Sequence, residues 1–140
     1  MSIPVSSSDV PGRLADYGSA PFLVTTSPDG TAKVVHVSVL WDVDAAAFTC
    51  APGGGTVRNL GGSEGGPATL VFPGTDADTH SWLVDATGTV DPDDDGWVVL
   101  AYDSGVLHRP APDTPERQVA TMGGAARSRI GWVARVTAVG

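Results

Sequence analysis

The sequence predicts a mainly β protein, a small barrel or sandwich with a few short helices. Three observations carry that expectation. About seven short segments are rich in β-branched and aromatic residues. Tight-turn sequences such as Ser27-Pro28-Asp29-Gly30 separate them. The long amphipathic stretches that a doubly wound fold needs between its strands are missing. The 140 residues are read as one domain. A chain of that length buries roughly two-thirds of its surface without disulfides or a structural metal.

Ser8 to Tyr17 reads as a short helix, with Ser8 or Asp9 as its cap, Pro11 in its first turn and Gly18 as its stop. Pro21–Ser27 is the first strand, and the Pro-Asp-Gly turn makes a hairpin to the second, Lys33–Asp42. That second strand alternates. Val35, Val37, Val39 and Trp41 form a core face, and His36, Ser38, Leu40 and Asp42 a mixed one suited to a cleft or a subunit contact. Ala46–Cys50 is a third strand. It feeds the glycine-rich loop Pro52-Gly53-Gly54-Gly55 and a helix start, Thr56-Val57-Arg58-Asn59-Leu60. Ala68–Phe72, Ser81–Val90 and Trp97–Tyr102 complete the internal strands. Asp103 or Ser104 is expected to cap one helical turn over Gly105–Arg109, closed by Pro110. Residues 110–129, rich in Pro, Gly and polar side chains, read as a long loop or linker, and 130–140 as a final strand.

The net charge is −8, with eight basic residues. Nucleic acid and anionic membrane both select a basic surface, so neither is expected as a partner. No apolar run approaches the roughly 20 residues that cross a bilayer. Cys50 is the only cysteine, so no intrachain disulfide forms, and the N-terminus reads as lacking a signal peptide. Both features fit the cytoplasm.

A strand, a glycine-rich loop and a helix start in succession are one way to hold a phosphate. The amides around Gly54, Gly55 and Thr56, the Thr56 hydroxyl and the Arg58 guanidinium are the candidate donors. The loop is not of Walker A type, because Gly55 is followed by Thr56-Val57 rather than Lys and a hydroxyl residue. The cations available to neutralise a phosphate are Lys33, Arg58, Arg109, Arg127, Arg129 and Arg135. Asp91, Asp93, Asp95 and Gly96 echo the start of a calcium loop, but the twelfth position is Tyr102, so a solvated hairpin turn is expected. His36, His80 and His108 lack metal-ligand spacing, and no metal site is expected. Cys50 reads as a buried thiol by default. Trp41, Trp82, Trp97 and Trp132 each fall on a predicted strand and read mainly as core.

From about Leu14 to Pro110 the chain resembles the pyridoxamine 5′-phosphate oxidase-like, flavin-binding split-barrel superfamily. The resemblance rests on six segments in order: Ala20–Thr26, Pro28-Asp29-Gly30, Val37–Trp41, Thr56–Leu60, Ala68–Phe72 and Val84–Val90. It implies a six-stranded split barrel, working as a homodimer with flavin mononucleotide (FMN) at the subunit interface. The second strand's backbone would run along the flavin ring, near His36, Val37, Ser38 and Val39. The phosphate would lie by Thr49, Cys50, Gly55, Thr56, Arg58 and Asn59. Where members of that superfamily often carry Arg-Lys, or at least Lys, this chain has Gly55-Thr56. Trp132 and Arg135 are present, but Arg135-Val136-Thr137-Ala138 lacks the usual proline, so vitamin B6 oxidation is not implied.

The resemblance thus implies a flavin-dependent oxidoreductase acting on a small-molecule substrate, with no general acid or base assigned. The related deazaflavin coenzyme F-420 is the alternative cofactor. A non-enzymatic dimer that carries flavin or haem, or has lost its cofactor, is the alternative role. For haem, His36, His80 or His108 would be the axial ligand.

Overall fold

The computed structural model describes residues 2–61, 64–75 and 79–111. The expected final strand over 130–140, nearly all of the expected loop over 110–129, and Arg127, Arg129, Trp132 and Arg135 lie outside the described residues. Among those described, the architecture is mainly β. The strands are β1 (Ser2–Pro4), β2 (Phe22–Thr26), β3 (Ala32–His36), β4 (Leu40–Asp42), β5 (Ala47–Cys50), β6 (Gly66–Phe72), β7 (Ser81–Asp91) and β8 (Asp94–His108). The helices are α1 (Val10–Tyr17), entered through a 3-10 turn at Ser7–Asp9, and α2 (Gly54–Asn59).

The entry to α1 is a reciprocal cap around Ser6. Its N–H and hydroxyl both donate to Asp9 Oδ2, at 3.1 and 3.0 Å. Pro11 stands in the first turn, and Gly18 ends the helix with its N–H on the Leu14 carbonyl at 2.8 Å. The expected hairpin forms as read. Gly30 N–H bonds the Ser27 carbonyl, and Leu23 faces Val35 across the ladder. The Asp91–Gly96 segment is the tip of the β7–β8 hairpin, turning at Pro92-Asp93, where Asp91 Oδ1 accepts the Asp93 N–H at 2.9 Å.

The sheet is antiparallel, in the order β3-β2-β6-β7-β8-β5-β4, with β1 added along the end of β8. The expected strand Lys33–Asp42 is therefore two strands. β3 pairs with β2 at one edge, and β4 pairs with β5 at the other. Only Val37, Ser38 and Val39 join them, so the two edges lie within at most about 14 Å of each other. A seven-strand path whose ends are that close must curl. The ladder is not closed by hydrogen bonds between β3 and β4.

The alternation read across the break nevertheless holds. Val37 and Val39 are buried, Val35 and Trp41 are half-buried, and His36, Ser38, Leu40 and Asp42 are exposed. The N–H groups of Val37 and Val39 bond the carbonyls of Pro21 and Ser19, which keeps the link in extended register. On the outer face, one row of partners crosses the sheet from His36 through Phe22, Val71 and Leu83 to Val106. Phe22, Val34 and Leu40 on that side are 38%, 58% and 64% exposed.

The core fills the concave side. Phe72 stacks on Trp82 at 4.2 Å, with Phe48 tilted against Phe72 and edge-on to Trp82, and Trp41 tilted against Phe48. Leu23, Leu60, Leu70, Val84, Val98 and Leu100 close around them, all fully buried.

One expectation fails here, and one element goes unforeseen. The helical turn over Gly105–Arg109 does not form, because β8 continues to His108. Residues 104–108 pair with β7 on one side, and 106–108 with β1 on the other. Two strand partners outweigh a local cap signal. The aspartate offered as cap, Asp103, instead sits at a register shift and accepts the Thr87 hydroxyl at 2.7 Å. The unforeseen element is β1, three exposed residues with no alternation to read.

Phe48 is the most central of these side chains. Phe48→Ala should lower stability by about 3–5 kcal/mol, the usual cost of an aromatic-sized cavity. Urea unfolding should show a lower midpoint at an unchanged slope.

Candidate functional site

The candidate site is a groove of about 360 Å³ between β3 and α2, lined by Ser27, Thr31, Ala32, Lys33, Gly55, Arg58 and Asn59. Its position follows from three local features. Gly53, with φ at 102°, turns the chain out of β5 into α2, and a side chain at that φ would be strained. Leu60 at the end of α2 is fully buried, and its side chain and that of Leu100 flank Gly88. Asn59 Nδ2 then donates to the hydroxyl of Thr25 at 3.1 Å, tying α2 to β2. Thr25 is the ladder partner of Lys33, so Lys33 emerges on the same side of the sheet as α2.

Two cations line this groove, Lys33 and Arg58, and both are exposed. Among the described residues the only ion pair is Arg13–Asp16, at 3.7 Å, so neither groove cation has a carboxylate partner. Lys33 lies directly over Gly55. A Cβ built at residue 55 would stand 2.8 Å from Lys33 Cε and 3.2 Å from Nζ. Arg58 Nη1 stands 3.5 Å from the corresponding point at Gly54. At the rim, the Ser27 hydroxyl donates to Asp29, and the Thr31 N–H donates to the same oxygen at 3.0 Å. These bonds, the Ser27 one foremost, hold the Asp29 carboxyl down at about 2. That carboxylate belongs to the turn.

The structure sorts the sequence-predicted residues into three places. Gly55, Arg58 and Asn59 line the groove. Thr56, Cys50, Val37 and Val39 are buried, so their side chains face the core. The Thr56 hydroxyl, read as a phosphate donor, is sealed from solvent, and no described residue bonds it. Thr49, half-buried on β5, pairs with Leu40 and Val99. His36 and Ser38 are exposed, with the His36 side chain on the face of β3 opposite to Lys33.

His36 stacks on Phe22 at 4.6 Å, and its Nε2 lies 2.9 Å from the Ala20 carbonyl. A carbonyl only accepts, so Nε2 carries the proton and, in the neutral ring, Nδ1 is left as an acceptor. No described residue bonds the Ser38 N–H, whereas both flanking N–H groups are bonded. Arg109, just beyond the end of β8, is not among the residues that line the groove.

The histidines do not converge, and among the described residues no three His, Cys, Asp or Glu side chains group as metal ligands. A second recess, of about 260 Å³ beside α1, contains Arg13, but Asp16 already pairs with that cation. No helix among the described residues is long and apolar enough to cross a membrane.

Sequence reasoning missed the contact between Lys33 and Gly55. The available signal was that Lys33 is the only lysine in the chain. Comparison with protein-family models, curated proteins and solved structures gives no match.

Cys50 offers a check on this placement. Burial pushes its thiol up to about 11 from 9.0. Above pH 9 the unfolded chain releases the thiol proton while the folded chain keeps it, so stability falls as pH rises from 9 towards 11. Cys50→Ala should flatten that decline in a pH series of urea midpoints. In native protein at pH 8 the thiol should resist a thiol reagent that labels it fully in urea.

Proposed function

We propose that the protein binds FMN with its phosphate in the β3–α2 groove, and works as an oxidoreductase on a small molecule. The observation that carries this reading is the pair of cations, Lys33 and Arg58, that share one groove and have no carboxylate partner among the described residues, in a chain with net charge −8. A phosphomonoester near neutral pH carries close to two negative charges, and two cations with an adjacent side-chain amide suit it. The groove fits the phosphate end through its donor chemistry: ammonium, guanidinium, Asn59 and a glycine surface.

The flavin ring would bring the hydride chemistry when bound. The chain would hold and orient it. Lys33 and Arg58 would neutralise the phosphate. The Ser38 N–H, which no described residue bonds, would donate to the ring's polar edge, and Val37 and Val39 would hold that link by their bonds to Pro21 and Ser19.

The same reading takes the curled sheet as a six-stranded split barrel. With β3 and β4 counted as one bent strand and β1 as an outside addition, six strands remain on the path. It also makes the protein a homodimer. Phe22, Val34 and Leu40 give the outer face an apolar character that a second subunit would cover.

Arg58→Ala should weaken FMN binding by about 1.5–3 kcal/mol, the range for a charge-assisted hydrogen bond, and leave riboflavin binding unchanged. Fluorescence titration of both ligands reads this. Equal affinity of the variant and the wild type for FMN would remove Arg58 from the site. Light scattering should give twice the chain mass for the wild type, and Leu40→Glu should shift it towards one chain.

A further inference from the structure

We infer that Gly55 shapes the anion site through its missing side chain: Lys33, reaching across from β3, occupies that space and brings its ammonium into the groove that Arg58 also lines. The inference rests on the phosphate reading above and adds to it a residue pair that determines what the groove holds. The volume beside Gly55 is filled by the Lys33 stem: a Cβ there would stand 2.8 Å from Cε, 3.3 Å from Cδ and 3.2 Å from Nζ. Contacts under 3.0 Å do not persist, so any larger residue at 55 displaces the end of Lys33. A side chain at 55 and Lys33 in its present conformation therefore compete for the same space.

The strand position has a physical advantage. Lys33 is anchored in the β2–β3 ladder opposite Thr25, and Thr25 is bonded to Asn59 of α2. The backbone of Lys33 is thereby fixed beside the helix, and its flexible side chain reaches over Gly55. Arg58 reaches the same groove from α2 itself. An anion between them is met from two elements at once. Lys33 has no carboxylate partner among the described residues to neutralise it.

Gly55 also separates this role from a structural one. Its φ is not in the positive range, so alanine fits the backbone there. Alanine also favours a helix over glycine. The atom it would meet is the far end of a flexible side chain, which can move aside. Gly55→Ala should therefore hold or raise the melting temperature while weakening phosphate binding. A merely structural glycine would move the two readings together.

The test is titration of wild type, Lys33→Gln and Gly55→Ala with FMN and with riboflavin, alongside the melting temperature of each. Both variants should lose FMN affinity, Lys33→Gln by roughly ten- to a hundredfold, with riboflavin affinity unchanged. Unchanged FMN affinity in Lys33→Gln overturns the role of Lys33. Unchanged FMN affinity in Gly55→Ala overturns the role of Gly55. If the wild type binds neither flavin, the cofactor reading falls, and inorganic phosphate becomes the probe. A phosphate-dependent shift of the Gly55 amide resonance that disappears in Lys33→Gln keeps the pair as an anion site. No such shift in the wild type overturns it.

Discussion

The rest of this structure depends on a three-residue link, Val37-Ser38-Val39. It joins β3 and β4, the two outermost strands of the sheet path, which therefore cannot lie far apart. An antiparallel sheet with its ends drawn together has a concave side, and the apolar residues of β2, β5, β6, β7 and β8 meet there. The link is held by its own chemistry. Val37 and Val39 turn their side chains into the core and bond the Pro21 and Ser19 carbonyls. Each loses water contact on one side and gains a backbone partner on the other, so neither polar nor apolar groups are stranded.

The groove is a consequence of that curl. With β3 bent back towards β4, the far end of β3 presents Lys33 on the side covered by α2. The helix is fixed by Leu60 in the core and by the Asn59–Thr25 bond. The two cations stay exposed, so no desolvation cost opposes their charge, and their attraction for an anion is moderated by salt. The surrounding chain is acidic, which favours a ligand captured by local geometry over one drawn in by a long-range positive field. Polar groups nearby are largely committed to the scaffold. Ser27 and Thr31 secure the Asp29 turn, and one N–H of the Asn59 amide secures α2. Lys33, Arg58 and the second Asn59 N–H are left to meet a ligand.

Much of this was legible in the sequence, and the parts that were not share a cause. The alternation from Val35 to Trp41 predicted burial correctly on both sides of a break it could not reveal. Period-two patterning reports which face is buried, while the break depends on which strand each half pairs with. Ser27–Gly30 and Gly18 were read correctly because turns and helix stops are local. The end of β8 was misread because Asp103 and Ser104 carry a strong cap signal, and the strands that override it are about twenty residues back and at the N-terminus. Gly55, Arg58 and Asn59 were placed together by adjacency alone. Lys33, 22 positions earlier, joins them only through the β2–β3 register and the docking of α2. Thr56 was read as a ligand from its place after the glycines, but the helical turn that brings Gly55 and Arg58 outward carries Thr56 inward.

The most direct test of the central claim is a crystal structure of the protein grown with FMN. The account predicts the phosphate between the Lys33 ammonium and the Arg58 guanidinium, above Gly55. A phosphate bound elsewhere, with Lys33 and Arg58 both free of it, would contradict the account.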